Sequence, residues 1–216
     1  MQSAYEALAR RNGPARTSNA TGCAVNSTDA SGMAAAVAAA AAADMVVFVG
    51  GLDVRTVERE GKDRHEIGLP GLQPALLRQL LALGKPLALV LFHGGIVTLP
   101  ADILAEPQLA VISAGYPGLH GAAALAAALL DTDAAPAANR WGKTAVTWYS
   151  EIGWEAASFD MLSFAMAAPP GRTHRYYTGV PQFPFSFGLS YAPTALRARA
   201  ATAAAGDDDD DDDDGG

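Results

Sequence analysis

Cysteine occurs once in the 216 residues, at Cys23. The chain therefore contains no disulfide framework of its own, and no Cys/His cluster has the spacing of a zinc site. We expect no metal. Cys23 is interpreted as a buried free thiol, and a pairing with a cysteine outside this chain is the alternative.

Net charge is absent outside one segment. The net charge is −8, and the eight aspartates from Asp207 to Asp214 carry that many negative charges, so the rest of the chain is neutral. A domain without excess positive charge is not expected to bind nucleic acid or an anionic membrane. Repulsion among the aspartates predicts that residues 196–216 form a disordered tail, separate from a domain at residues 1–195.

Long apolar runs are missing as well. The Ala-rich stretch from Met33 to Ala43 is too short to span a bilayer and is closed by Asp44. No secretory signal opens the sequence, whose first residues indicate a helix. Asn19 and Asn26 each begin a glycosylation triplet, a signal that is common by chance.

Three familiar catalytic motifs are absent. The chain has no G-x-x-x-x-G-K-[ST] loop, no G-x-G-x-x-G after a strand and no G-x-S-x-G elbow. This disfavours nucleotide binding and serine-hydrolase chemistry, and we expect no cofactor.

Four near-continuous apolar runs predict buried strands, at Met45–Gly51, Pro86–Gly95, Leu109–Tyr116 and Thr144–Tyr149. Helical patterns separate them, at Ser31–Ala43, Gly71–Leu83 and Leu119–Leu130, with Asp29 or Ser31 expected as the first N-cap. This alternation predicts a three-layer α/β sandwich with a mostly parallel sheet. A Pro-, Gly- and aromatic-rich segment beyond Trp148 is expected to wrap the domain.

Ligands of such sheets bind at the carboxyl ends of the strands. Gly50, His93 and Gly115 mark those ends, so their loops should share one edge. The charged stretch "VEREGKDRHEIGLPG" follows the first strand and belongs to that edge. Its carboxylates Glu58 and Glu60 could act as a glycosidase acid, or they could be ordinary charges of a solvated loop.

A set of motifs gives the chain a family resemblance. "ADMVVFVGGLD", "VEREGKDRHEIGLPGLQ", "ISAGYPGLHG", "KTAVTWYSE", "PGRTHRYYTG" and "FPFSFGLSY" occur in that order. Together they resemble the α/β-sandwich domain of glycoside hydrolase family 3, and most of all its β-xylosidases and β-glucosidases.

The resemblance implies a secreted, two-domain, retaining exo-glycosidase of carbohydrate and xylan catabolism. An N-terminal (β/α)8 barrel, not present in this sequence, would carry the aspartate nucleophile and most of the sugar pocket. This domain would supply the general acid/base from the loop at Val54–Leu69. Glu60 best fits that role, and Glu58 is the alternative. Asp63 and Arg64 match the family's Asp-Arg pair, expected to shape the loop and touch sugar hydroxyls.

The sequence also departs from the family. His120 stands where an acidic residue is usual and is interpreted as structural, and "DTDAAPAANRWGKTAVTWY" lacks the usual Pro-Ser-Gly turn. Three functions are therefore weighed: a piece of an exo-glycosidase, a non-catalytic carbohydrate-binding or scaffold remnant, and an unrelated α/β binding protein. Xylose, glucose and arabinose all stay open as sugars.

Overall fold

The structure is a computed structural model that describes residues 2–130, 142–151 and 162–188. Its helices are α1 (Ala4–Asn12), α2 (Met33–Ala41), α3 (Gln73–Leu81), α4 (Ala101–Leu104), α5 (Gly121–Leu130) and α6 (Thr173–Tyr176), with a 3-10 helix at Pro14–Arg16. Its strands are β1 (Val46–Gly51), β2 (Leu87–Phe92), β3 (Leu109–Gly115), β4 (Trp148–Tyr149) and β5 (Pro181–Phe183).

The main sheet has the order β1-β2-β3, and both strand pairings are parallel. β2 lies in the middle and is buried along Leu87–Leu91, so alternating side chains are covered on both faces of the sheet. This arrangement confirms the predicted α/β class and explains why the strand "LALVLF" is a continuous apolar run rather than an alternating one.

Most of the core lies between this sheet and the helices α2 and α3. Leu77, Leu89 and Val97 are fully buried in it, and Trp148 joins from the C-terminal segment. Cys23 is half-buried and packs against this core, and burial raises the pKa of its thiol. A second, smaller cluster forms where Ala7 of α1 meets Ala122 and Ala126 of α5.

Helix α2 begins two residues later than the pattern predicts. Its N-cap is Gly32, which supplies no side-chain hydrogen bond, so the expected cap by Asp29 or Ser31 is wrong. Asp29 instead accepts a hydrogen bond from the backbone N–H of Ser31 at 2.9 Å. The short side chain closes a local turn before the helix rather than capping it.

The predicted fourth strand is also corrected. Only Trp148 and Tyr149 are extended, and they pair antiparallel with β5 in a separate two-stranded ribbon. Trp148 contacts the rings of His93 and Phe183, with centroids 5.1 Å and 5.8 Å away. The ribbon is therefore attached to the end of the main sheet through an aromatic contact rather than through a backbone ladder.

The aromatic wrap is only partly packed. Phe183 lies against the core, whereas Phe185 and Phe187 stay exposed by 43% and 46%. Residues 189–216, which include Tyr191 and the predicted acidic tail, lie outside the described residues.

Candidate active-site edge of the sheet

The three parallel strands end side by side. Gly51 of β1 pairs with Phe92 of β2, and Phe92 pairs with Gly115 of β3. The charged loop follows β1 closely, and residues 93–95 and 116–118 follow the other two strands. The predicted common edge is confirmed.

Asp53 turns the chain immediately after β1. Its Oδ1 accepts hydrogen bonds from the backbone N–H groups of Arg55 and Thr56 at 2.7 Å and 2.5 Å, and its Oδ2 accepts one from the Thr56 hydroxyl at 2.8 Å. Burial alone would raise the pKa of the Asp53 carboxyl, but these hydrogen bonds outweigh it and lower the pKa. The charged loop therefore begins from a fixed turn.

Glu58 is the residue at which the three loops of the edge meet. Its Oε1 accepts hydrogen bonds from the N–H groups of Gly94 and Gly95, at 3.2 Å and 3.4 Å. The same oxygen accepts the hydroxyl of Tyr116 at 3.1 Å. One carboxylate oxygen thus ties the charged loop to the segments that follow β2 and β3.

The second oxygen of Glu58 is held by Arg64. Arg64 Nε lies 3.1 Å from Glu58 Oε2, and the two side chains are only 12% and 20% exposed. Arg64 also donates from Nη2 to the carbonyl of Ile96 at 2.8 Å. Its Nη1 is buried and has no hydrogen-bond partner within the described part of the chain. The Glu58–Arg64 contact therefore joins two parts of the charged loop, and the Arg64–Ile96 hydrogen bond attaches the loop to the segment that follows β2.

The Gly94-Gly95 pair allows the close approach of these side chains to the backbone. A Cβ on Gly94 would lie 2.9 Å from Tyr116 Cε2 and 3.0 Å from Glu58 Oε1, and one on Gly95 would lie 2.8 Å from Arg64 Nη2. Real Cβ atoms essentially never come nearer than 3.0 Å to such atoms. Glycine at both positions lets the carboxylate, the phenol and the guanidinium lie directly on the backbone.

Glu60 occupies a different environment two residues away. Arg59 and Lys62 pair across a tight hairpin, with reciprocal N–H to carbonyl hydrogen bonds of 3.1 Å and 2.8 Å. Glu60 and Gly61 form the apex, where Gly61 has φ +74° and Glu60 is exposed. Asp63 is likewise exposed on the outgoing arm of the hairpin.

His93 holds the glycine pair in place through a hydrogen bond to the backbone of Gly95. Its Nδ1 lies 2.8 Å from the carbonyl of Gly95 and its Nε2 lies 2.8 Å from Ser113 Oγ. Because a carbonyl can only accept, Nδ1 carries the proton and Nε2 accepts from the serine hydroxyl. Burial lowers the pKa of His93 more than the nearby Glu58 raises it, which favours this neutral form.

Tyr116 lies at the outer side of the same contact. Its side chain is 48% exposed, and its pKa is raised first by burial and then by its hydrogen bond to Glu58. The phenol therefore stays protonated as a donor to the carboxylate. The sequence placed Tyr116 at the edge, through its position after β3, but gave no sign that it meets Glu58.

His120, the residue that departs from the family pattern, lies at the start of α5. Its side chain is exposed, and its carbonyl accepts the N–H of Ala124 at 3.0 Å. Among the described residues no group of three His, Cys, Asp or Glu side chains is arranged to hold a metal ion. In the same ranges no helix is long and apolar enough to cross a membrane.

The fold and this edge define a class, that of α/β-sandwich domains which present carboxylates on the loop after the first parallel strand. The sequence profile of the glycosyl hydrolase family 3 C-terminal domain matches residues 2–191. The chain belongs to that family.

Relatives in fungi and plants agree with this assignment. The chain is 40% identical over 174 residues to a probable exo-1,4-beta-xylosidase bxlB of Aspergillus fumigatus, covering 80% of this chain and 22% of the relative. It is 41% identical over 186 residues to Beta-D-xylosidase 1 of Arabidopsis thaliana, covering 82% and 22%. The chain thus spans about a fifth of the length of the relatives it matches.

Solved structures give the same picture. The structure of a GH3 exo-beta-xylosidase, XlnD, in complex with a xylobiose aziridine activity-based probe matches with a TM-score of 0.68 and 33% identity, over 80% of this chain and 22% of that one. A GH3 beta-glucosidase of Bifidobacterium adolescentis matches with a TM-score of 0.68 and 27% identity, over 88% and 28%. Both comparisons place this chain on one domain of a longer enzyme.

Proposed function

We propose that this chain is the part of a retaining, exo-acting β-xylosidase or β-glucosidase that supplies the general acid/base, with Glu60 as that residue. The observation that carries the proposal is the position of Glu60 at the exposed apex of a two-residue hairpin, two residues beyond the anchored Glu58. A barrel domain elsewhere in the longer protein would supply the nucleophile and most of the sugar pocket.

Glycoside hydrolysis requires a carboxyl group that can reach the glycosidic oxygen of the bound substrate. In a retaining mechanism the acid protonates the departing oxygen while a second carboxylate, ~5–5.5 Å from the acid, attacks the anomeric carbon. The same group then deprotonates the water that releases the sugar. An exposed apex is suited to both steps, because its carboxyl group is open to substrate and to water.

Glu58 is suited to a different task. Both of its oxygens already accept hydrogen bonds from protein donors, from two backbone N–H groups and Tyr116 on one side and from Arg64 on the other. We therefore assign Glu58 and Arg64 to positioning the loop. Asp63, exposed beside the apex, is assigned to contact with sugar hydroxyls.

The test requires the barrel to be joined upstream of this chain. Glu60→Gln should slow hydrolysis of glycosides with poor leaving groups by ~10²–10⁴-fold, the usual contribution of a general acid. Activated aryl glycosides should be attacked nearly as fast as by the parent enzyme, because a stable phenolate needs little protonation. Added azide should then restore turnover of the activated substrate by attacking the glycosyl-enzyme directly.

Glu58→Gln is the matched control, since it makes the same change two residues away. It should lower the rates on all substrates alike and should show no azide rescue. If Glu58→Gln shows the leaving-group dependence and the rescue while Glu60→Gln does not, Glu58 is the acid/base. If neither variant does, the charged loop is not catalytic.

We further propose that the longer protein acts outside the cell in the breakdown of xylan-type polysaccharides. Asn19 and Asn26, which begin the two glycosylation triplets, are both exposed and can accept a glycan. Secretory expression followed by enzymatic deglycosylation should reveal added mass at these residues. Unmodified Asn19 and Asn26 in secreted material would remove this support.

A further inference from the structure

A cavity lies between the β4–β5 ribbon and α6, and neither Glu58 nor Glu60 is among its lining residues. Its volume is ≈ 330 Å³, and its walls include Thr147, His174, Tyr177 and Phe185 together with a glycine and two prolines. We propose that this cavity, called here the ribbon pocket, binds one neutral pyranose ring. The choice of a sugar as ligand class rests on the proposed function, whereas the pocket itself does not.

Three lining residues of the ribbon pocket carry rings that contact other rings, namely His174, Tyr177 and Phe185. The rings of His174 and Phe185 stack with centroids 4.2 Å apart and an interplanar angle of 21°. The ring of Tyr177 meets Tyr149 edge-on, with centroids 4.8 Å apart. Flat rings held in this way offer apolar faces to the C–H groups of a sugar, while the imidazole and phenol offer hydrogen bonds to its hydroxyls.

Backbone strain is concentrated beside the two stacked rings. Within the described ranges the non-glycine residues with positive φ are Thr173, at 61°, and Ser186, at 65°. Thr173 immediately precedes His174, and Ser186 immediately follows Phe185. Such conformations cost ~1–3 kcal/mol each and persist where the surroundings impose them, often at ligand clamps. Here they flank His174 and Phe185, whose stacked rings form part of the wall of the ribbon pocket.

Thr147 lies in the wall of the pocket, but its hydroxyl does not face the open space. The residue is only 7% exposed, and its Oγ1 is buried. The side-chain hydrogen bonds to a ligand would therefore come from the imidazole of His174 and the phenol of Tyr177.

The chemistry of the lining selects the ligand class. None of the lining residues carries a carboxylate, an ammonium or a guanidinium group, so neither a cation nor a phosphorylated ligand finds a permanent counter-charge. The volume lies at the small end of the range for ligand pockets, which suits a single ring rather than a long chain. A neutral, polar ring with apolar faces fits both conditions.

The probe is methyl β-D-xylopyranoside, titrated into the isotope-labelled full chain and followed by NMR. The signals of His174, Tyr177 and Phe185 should shift in a saturable manner, with a dissociation constant on the order of 1–10 mM for so small a ligand. Phe185→Ala should weaken binding about tenfold, because it removes an aromatic face from the pocket wall.

Two controls separate this site from its alternatives. Phe164→Ala removes an aromatic ring that is 98% exposed and lies outside the pocket lining, so it should leave binding unchanged. Glu60→Gln should also leave binding unchanged, which keeps the result independent of the proposed catalytic role. Absence of saturable shifts, equal losses in Phe164→Ala and Phe185→Ala, or loss of binding in Glu60→Gln would each overturn the proposal.

Discussion

Glu58 and Glu60 are the same amino acid two positions apart, and the fold gives them opposite surroundings. The first meets four donors supplied by Arg64, Gly94, Gly95 and Tyr116. The second lies exposed at a hairpin apex. A carboxylate that shares a half-buried position with an arginine and backbone N–H groups contributes to stability, whereas an exposed one contributes little.

Stability measurements should separate the two residues in the chain itself. Glu58→Gln should lower the free energy of unfolding by ~1–3 kcal/mol, because it weakens hydrogen bonds to a charged group and leaves Arg64 without its partner. Glu60→Gln should change it by less than ~0.5 kcal/mol, as for an exposed surface change. Urea titration measures both. Equal effects would mean that the Glu58 contacts do not fasten the loop.

The glycine pair under Glu58 gives a second prediction at this scale. Gly94→Ala should cost ~1–3 kcal/mol, because the added methyl group overlaps the Tyr116 ring and the Glu58 carboxylate. Gly68→Ala is the control, since its nearest new contact is Thr98 Oγ1 at 3.9 Å. Hydrogen exchange across residues 54–69 should accelerate in Gly94→Ala only. Unchanged exchange there would contradict the role of the glycine pair.

At the scale of elements, one buried side chain joins three segments. Gln73, at the start of α3, is only 2% exposed. Its Oε1 accepts the N–H of Gly51 at 2.7 Å, and its Nε2 donates to the carbonyls of Gly51 and Val25 at 2.8 Å and 2.9 Å. The end of β1 is thereby held to α3 and to the segment before α2.

Replacing Gln73 should therefore be far more harmful than an identical change elsewhere on the helix. Gln73→Met keeps the volume but leaves a buried N–H and buried carbonyls unpaired, and should cost ~2–4 kcal/mol. Gln79→Met, on the exposed side of α3, should cost less than ~0.5 kcal/mol. Thermal unfolding of the two variants measures the difference, and similar melting temperatures would refute it.

The elements also show what the sequence can and cannot predict. The runs that became β1, β2 and β3 were recognisable because they are apolar throughout, although only β2 is buried along most of its length. The run at Thr144–Tyr149 is also largely apolar, yet Val146 is exposed and only the last two residues pair, with Pro181–Phe183. The composition of a short run therefore determines neither its burial nor its pairing partner, which lies elsewhere in the sequence.

The same limit applies to the candidate site. The position of Glu58 and Glu60 after β1 was enough to place both at the carboxyl edge. Which of them is anchored could not be inferred, because the donors to Glu58 Oε1 lie 36, 37 and 58 residues away. The role of Gln73 was missed for a similar reason, since its partners Val25 and Gly51 precede it by 48 and 22 residues.

At the scale of the whole molecule, stability should depend on His93 near neutral pH. Burial lowers the folded-state pKa of His93 below its usual value, so the unfolded chain binds the extra proton first. The free energy of unfolding should therefore fall as the pH drops below about 6.5, the unfolded value. Within the described ranges, four carboxyl groups with lowered pKa act in the same direction at more acidic pH, those of Glu6, Asp29, Asp53 and Asp102.

The measurement is the melting temperature between about pH 7.5 and 5, where those carboxylates contribute little. The melting temperature of the parent chain should fall more over this pH interval than that of His93→Gln, because glutamine cannot take up a proton at that position. Glu58 and Arg64, the charged groups nearest His93, are retained in both chains and so cancel in the comparison. Parallel curves would show that His93 is not responsible.

The purified chain should not hydrolyse aryl β-xylosides or β-glucosides. Retaining hydrolysis requires two carboxylates on opposite sides of the bond, and the proposed function assigns only the acid/base to this chain. A chromogenic assay checks this. Turnover that persists through purification and vanishes in Glu60→Gln would show that a nucleophile is present in this chain.

The hydrogen bonds of Glu58 also limit how far the Glu60 carboxyl group can move from the edge of the sheet. Two residues of extended chain reach at most about 7 Å, so the backbone of Glu60 must stay within that distance of the anchored Glu58. Residues inserted between positions 58 and 60 would move the Glu60 carboxyl group away from the anchored Glu58. Residues inserted near the exposed His65 and Glu66 would not change that spacing. Under the proposed function, a loop fastened to its own sheet would require the barrel domain to make the approach that brings two carboxylates to one bond.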